Sequence, residues 1–292
     1  MADVPVFDIS DLNRKAYETA QSRRVYRKAS GWLDAGEQAA IAASGFGKPG
    51  CAVLDIGIGG GRTTPLLSAI NPNYVGVDYI SQLVEAARAR FPEADLRQMD
   101  ARRLAFGDGA FDAVLFSYNG IDSVNQADRI AILAEIFRVL RPGGCFCFSS
   151  LNRYGPAFAQ QFQRPFGMDT SSLRALVLDL ARAIRWYAMF LVVGLPVYLQ
   201  ARRANRRSKT TELVARQVSA HYGGLVLLFT SAAANVALLR QAGFEVALIL
   251  DEAGNDVAGD GKAEDSRWLY YVARKPAAAG LQGGVGGAQA GG

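Results

Sequence analysis

Asp55, Gly57, Gly59, Gly60 and Gly61 stand together at the end of a short apolar run, Cys51 to Ile56, and a second acid, Asp78, closes the next run, Tyr74 to Val77. Glycines in that position permit positive φ and let the backbone approach a ligand closely. Thr64 and Pro65 fit the N-cap and first residue of a helix. Asn71-Pro72 ends it, because a residue before proline avoids the α region. Strand, glycine turn, helix, strand and terminal acid make one half of a nucleotide-binding α/β sheet. In such a unit the helix amino terminus can receive an anionic group and the acid can hold a ribose diol.

The spacing also discriminates between nucleotides. A nicotinamide fingerprint needs a glycine where Arg62 stands, so G-x-G-x-x-G fails. What stands instead is Asp55-x-Gly57-x-Gly59-x-Gly61, followed by Gly-Val-Asp at 76–78. This resembles motif I of the class I S-adenosylmethionine (SAM) dependent methyltransferases. The resemblance covers about 51–150 and 225–275, where AGFEVALIL and WLYYVARKP are similar to the antiparallel strand pair that closes that family's sheet. It implies SAM as cofactor and S-adenosyl-L-homocysteine as product. It also implies that Gly57, Gly59 and Gly61 approach the methionyl moiety, that Asp55 holds that end through its charge, and that Asp78 accepts both ribose hydroxyls. Arg62 either pairs with the cofactor's carboxylate or lies on a helix surface. Tyr79 lies against ribose or adenine, or packs at a helix start. Met99 and Asp100 read the adenine, with a local N-cap as the alternative for Asp100. Ser117, after the fourth strand, belongs to the edge of the same crevice.

Methyl transfer from SAM is an in-line displacement, so a protein has mainly to align the reactants and exclude water. The cofactor carries the activated group, and few catalytic side chains are needed. Asn119 and Asp122 are placed to orient a hydroxyl acceptor. His221, the one histidine, could deprotonate it, since its ordinary pKa lies near working pH; a structural role is the alternative. FSYNGID resembles a block in a bacterial subset of the family, whose histidine after the paired serines of the fifth strand is replaced here by Leu151. The expected activity is methyl transfer to a small molecule, at oxygen. A lipid or lipid-linked acceptor at a membrane surface is the alternative within the class. A nicotinamide-dependent oxidoreductase and a non-catalytic SAM-binding module are the alternatives outside it. No Asn-Pro-Pro-Tyr-like block follows the fourth strand, and no nucleic-acid partner is expected.

These residues need an α/β, doubly wound, seven-stranded and mostly parallel sheet, Rossmann-like, with an antiparallel C-terminal pair and a helical lid insertion. Strands are expected at Ala94–Met99, Phe111–Tyr118, Cys145–Ser150, Phe244–Leu250 and Trp268–Ala273 besides the two above. Ser81 fits the N-cap of a helix reaching Arg90, and Ile130, Leu133, Phe137 and Leu140 mark one that stops at Arg141–Gly144. Ser231 to Gln241 is a helix closed by Gly243. The chain divides into a helical cap at 1–50, a SAM-binding core at 51–150, a helical lid at 151–224, a closing helix and strand pair at 225–275, and a disordered Ala/Gly tail at 276–292.

Within the lid, Leu173, Leu176, Val177, Leu180, Ile184, Tyr187 and Leu191 lie at helical spacing. The apolar stretch 186–199 is shorter than the roughly 20 residues that span a bilayer. It is read as a buried lid helix, or as an interfacial helix whose following arginines meet anionic lipid. At 292 residues, half of them apolar, the chain can bury a full core, and its net charge of +5 suits an anionic surface without demanding one. Three cysteines and one histidine give no zinc spacing and no disulfide framework, so no metal is expected and Cys145 and Cys147 read as buried thiols. MADVPVFDIS has neither a basic nor an apolar leader segment. A cytoplasmic location is expected, with a peripheral place at the inner membrane face as the alternative.

Overall fold

The computed structural model describes residues 8–19, 22, 26, 31–159, 171–207, 211–218, 223–257 and 261–277. Its strands are β1 (Ala52–Ile56), β2 (Asn73–Asp78), β3 (Asp95–Gln98), β4 (Phe111–Phe116), β5 (Leu140–Leu151), β6 (Leu213–Val218), β7 (Leu225–Thr230), β8 (Glu245–Leu250) and β9 (Trp268–Arg274). Seven of them form one sheet in the order β3-β2-β1-β4-β5-β9-β8. The first five are parallel, and β9 runs antiparallel to both β5 and β8. The expected doubly wound sheet and its antiparallel close are therefore present. The strand order reverses between β1 and β4, which opens a crevice at their carboxyl ends.

Both faces of the sheet are covered, and the strand sequences show it. Leu54, Ile56, Val114 and Phe116 enter one core, while Val53, Leu115 and Cys147 enter the other. Alternate residues of a strand point to opposite faces, so runs that are apolar at nearly every position, such as AVLDI and FDAVLF, are what a sheet buried on both sides requires. Each large side chain so buried contributes about 1.5–3 kcal/mol. All three cysteines are free and buried.

Several boundaries differ from the sequence reading for local reasons. Helix α1 (Ile9–Tyr17) and helix α2 (Ala35–Ser44) belong to the amino-terminal cap. Helix α3 (Thr64–Ile70) is preceded by Thr63 rather than capped by Thr64, and the Thr63 hydroxyl donates to Asp55 instead of the helix. Helix α4 (Ser81–Arg90) begins on Ser81 itself; the amide of Ile80 donates to Asp78. Helix α5 (Gln126–Val139) gives way at once to β5, and Arg141–Gly144 form a bulge, since Phe111 pairs with Leu140 but Ala113 with Cys145.

The segment 151–224 is not helical throughout. After a short helix α6 (Pro156–Ala159) come α7 (Leu173–Met189), a π turn (Phe190–Gly194) and α8 (Leu195–Arg207). Pro196 cannot donate to a carbonyl four residues back, which accounts for the widened turn just before it. Then β6 and β7 form a separate antiparallel ribbon on either side of position 224. Helix α9 (Ala232–Gln241), N-capped by Ser231 and closed by Gly243 at φ 94°, leads into β8. The outer side of α7 is exposed rather than buried: Leu173 is 79% accessible and Ile184 63%. Among the described residues, no helix is long and apolar enough to cross a membrane.

Candidate active site

A cavity of about 550 Å³ occupies the crevice beyond β1, β2 and β4. Its floor is the turn after β1, where Gly57 and Gly59 have φ of 72° and 55°. The amides of Gly57 and Ile58 donate to the Val77 carbonyl at 2.8 and 3.2 Å, which ties the turn to β2. A Cβ at Gly57 would lie 2.8 Å from the Phe116 ring, and one at Gly60 would lie 2.1 Å from the Tyr26 carbonyl oxygen. Both positions need glycine on space alone. Gly61, at φ 85°, does not line the cavity; it is pressed against the Phe91 ring.

The two strand-end acids separate in role. Asp78 lines the cavity and accepts from the amides of Gly59 and Ile80, both at 2.9 Å. Burial holds its carboxyl above the usual range, and these amides offset that only in part. Asp55 lies beneath the turn and does not line the cavity. It accepts from Thr63 at 2.5 Å and Tyr74 at 2.9 Å, and burial pushes its carboxyl up to about 7. These bonds make Asp55 a brace under the glycine turn.

Arg62 and Ser117 reach the cavity wall already engaged. The Arg62 guanidinium donates to both carboxylate oxygens of Glu37, at 2.8 and 2.6 Å, and to the Trp32 carbonyl at 2.6 Å. It also donates to Ser117, whose hydroxyl donates to Glu37. Arg62 is thus not on a helix surface; it lines the cavity with its guanidinium bonded to Glu37. Tyr79, Met99 and Asp100 all line the cavity. The Tyr79 hydroxyl is buried without a partner. The Met99 amide is spent on the Asp78 carbonyl at 2.9 Å. Burial raises the carboxyl of Asp100, but the hydrogen bonds from Arg102 bring it below the usual range.

Of the expected acceptor-side residues, Asn119 and Asp122 lie together in the turn after β4, where the Asp122 amide donates to the Asn119 carbonyl at 3.0 Å. Asp122 is fully buried; Ser150 donates to one oxygen at 2.8 Å, the Leu151 amide to the other at 2.6 Å, and Arg129 stands 3.7 Å away. These bonds tie the turn after β4 to the end of β5. Asn119 does not line the cavity, and its side-chain oxygen is buried without a partner. His221 lies outside the described residues. No described residue of 151–224 lines the cavity, which the amino-terminal cap closes instead. Its wall includes Tyr17, Tyr26 and Trp32, with Tyr118 opposite. Trp32 and Tyr118 meet edge to face at 5.7 Å above the Arg62 guanidinium. Tyr118 and Asn119 both have positive φ, 52° and 60°, which is uncommon for bulky residues and marks a strained loop. Nothing in the spacing of Tyr17 and Tyr26 marks them as cavity residues; their aromatic type in the segment before the glycine turn is the available signal.

The model of a methyltransferase domain family matches residues 53–144, from β1 into the β5 bulge. An uncharacterized methyltransferase of Synechocystis is 35% identical over 105 residues, 36% of this chain and 49% of that protein. A demethylmenaquinone methyltransferase of Beutenbergia cavernae is 38% identical over 97 residues, 33% of this chain and 39% of that protein. The matches thus span half or less of these relatives' own length. The structure of a Burkholderia thailandensis 1,6-didemethyltoxoflavin-N1-methyltransferase superposes with a TM-score of 0.55 at 15% identity, covering 94% of this chain and 93% of that one. The sheet order, the crevice and the matched segment agree: residues 53–144 match a methyltransferase domain, and the chain has the class I SAM-dependent methyltransferase fold.

Proposed function

We propose that this protein transfers a methyl group from SAM to a small, largely apolar acceptor. One observation carries the reading: a buried carboxylate, Asp78, lines the same crevice as a left-handed glycine turn, at the point where the sheet order reverses. The residues fit that cofactor. Each Asp78 oxygen accepts one amide and has capacity left for a ribose hydroxyl. Tyr79 brings an unpartnered hydroxyl, and Met99 and Asp100 stand where an adenine would lie. Gly57, Gly59 and Gly60 line the crevice, with Gly61 and Asp55 supporting the turn from behind. Ser117 and Arg62 hold the cap against the crevice through Glu37.

When bound, SAM supplies a methyl group activated by its sulfonium. The chain's part is to orient and to exclude water, and α1, Trp32 and Tyr118 close the cavity over the turn. The aromatic wall suits an apolar or aromatic acceptor, in keeping with the quinone-type compound in one relative's name. An oxygen acceptor needs a base, and Asp122 is spent on the fold, which leaves His221 to serve. A lipid-linked acceptor is the second reading, favoured by the exposed apolar face of α7.

The test is methyl-labelled SAM with a panel of hydroxylated and quinol acceptors, followed by phase partition, alongside SAM binding by calorimetry. Asp78→Asn is expected to weaken SAM binding by about a hundredfold, the loss of charge-assisted hydrogen bonds to two hydroxyls. Transfer that persists in His221→Ala removes the base assignment. Binding of NADH but not SAM overturns the whole reading.

A further inference from the structure

We propose that the helical run 173–207 is a docking surface for an anionic lipid bilayer, lying along it rather than crossing it. Leu173, Val177, Leu180, Ile184, Tyr187 and Leu191 recur every three or four residues and so share one side of the helix. All six are exposed, and Val192 in the π turn is 73% accessible. The fold uses the other side. Trp186 is buried there, and Val197 and Ala201 pack with Ile9, Ala215, Val226 and Leu228. The outer stripe is therefore not a core face waiting for this chain's described elements. Apolar stripes of this length are rare on a protein that meets only water.

Charge selects the occupant. Between 173 and 207 the sequence has seven arginines and one acid. That acid, Asp179, is buried and receives a bond from Arg182 at 2.8 Å, so the outer side offers no negative partner. Arg174 and Arg185 each follow a stripe residue directly, about 100° round the helix from it. A second copy on this face would match apolar to apolar but bring arginines against arginines. A bilayer with acidic headgroups provides both complements in the right order: acyl chains for the stripe, and phosphates at the level that arginine stems reach from its flank. The absence of a spanning helix among the described residues agrees with a surface position.

Flotation of the full chain with phosphatidylcholine vesicles, with and without phosphatidylglycerol, tests this without reading any methyl transfer. It therefore stands or falls separately from the proposed activity. The intact chain is expected to float with the phosphatidylglycerol vesicles and to be released by salt. Leu180→Asp with Ile184→Asp, both at exposed positions, should abolish flotation while the circular dichroism melt is unchanged. Arg174→Gln with Arg185→Gln should weaken it about thirtyfold. Failure to float with either vesicle overturns the proposal, as does flotation indifferent to both variant pairs. So does a dimer in vesicle-free buffer that Ile184→Asp dissolves, since a second copy would then be the occupant.

Discussion

Asp55 and Asp78 end neighbouring strands, yet only Asp78 faces the cavity, and the difference comes from what lies around each carboxylate. The glycine turn arches over Asp55, and the hydroxyls of Thr63 and Tyr74 are the partners it finds. A buried carboxylic acid makes stability depend on pH in a direction opposite to an ion-paired one. In the unfolded chain it ionises near 3.8, whereas in the fold burial holds the proton until about 7. Stability from this group is full below about 4 and is lost as pH rises to about 7. Asp55→Asn keeps the shape and cannot ionise. Its urea midpoint should therefore decline less between pH 4 and pH 7 than that of the unaltered chain. Residue types and spacing were enough to find Asp55, Asp78 and the glycines. Which ones face the ligand was not legible, because facing depends on partners far away in sequence. Arg62 is the plainest instance: nothing local to it announces Glu37, which takes up its guanidinium.

Among the elements, the turn after β4, helix α5, β5, β7 and α9 converge on one buried cation. Arg129 is fully buried and donates to Thr230 at 2.9 Å and to Asn235 at 2.7 Å, with Asp122 nearby and Tyr271 accepting from Asn235. Removing one charge of such a pair leaves the other buried and uncompensated. Asp122→Ala is thus expected to cost about 3–5 kcal/mol in chemical denaturation. Adding Arg129→Met should recover much of that loss, a coupling that a purely substrate-facing Asp122 would not show. A loop acid just after a strand reads as exposed until the arginine that faces it is known. The parallel strands were legible because burial on both faces leaves mostly apolar runs such as CAVLDI and CFCFSS, in which polar residues are few. The β6–β7 ribbon was not, since LVARQV and LVLLFT lack a clean alternation and no Asn-Gly or Asp-Gly pair joins them. Helical spacing in α7 identified the stripe but not its surroundings, since periodicity marks a face without saying what lies against it.

Over the whole molecule, the two sheets meet through α1, which lines the cavity on one side and packs on β7 on the other. Asn13 secures that position. Its side-chain amide donates to the carbonyls of Ser123 and Val226 at 2.7 and 2.6 Å and its oxygen accepts from the Val226 amide at 3.0 Å. Asn13→Ala leaves those backbone groups unpaired and should cost about 1–3 kcal/mol. Hydrogen exchange should quicken at the Val226 amide first, and SAM affinity should fall although residue 13 does not line the cavity. The strand order has a consequence for how the chain is made. β9 comes after every other described strand in sequence, yet it sits inside the sheet between β5 and β8. While the ribosome is still short of residue 268, β5 presents an open edge flanked by Phe146 and Phe148, the kind of template on which nascent chains pair with one another. Closure of the sheet thus waits on the last made of the described strands, and in the interval before it β5 is open to pairing with other copies.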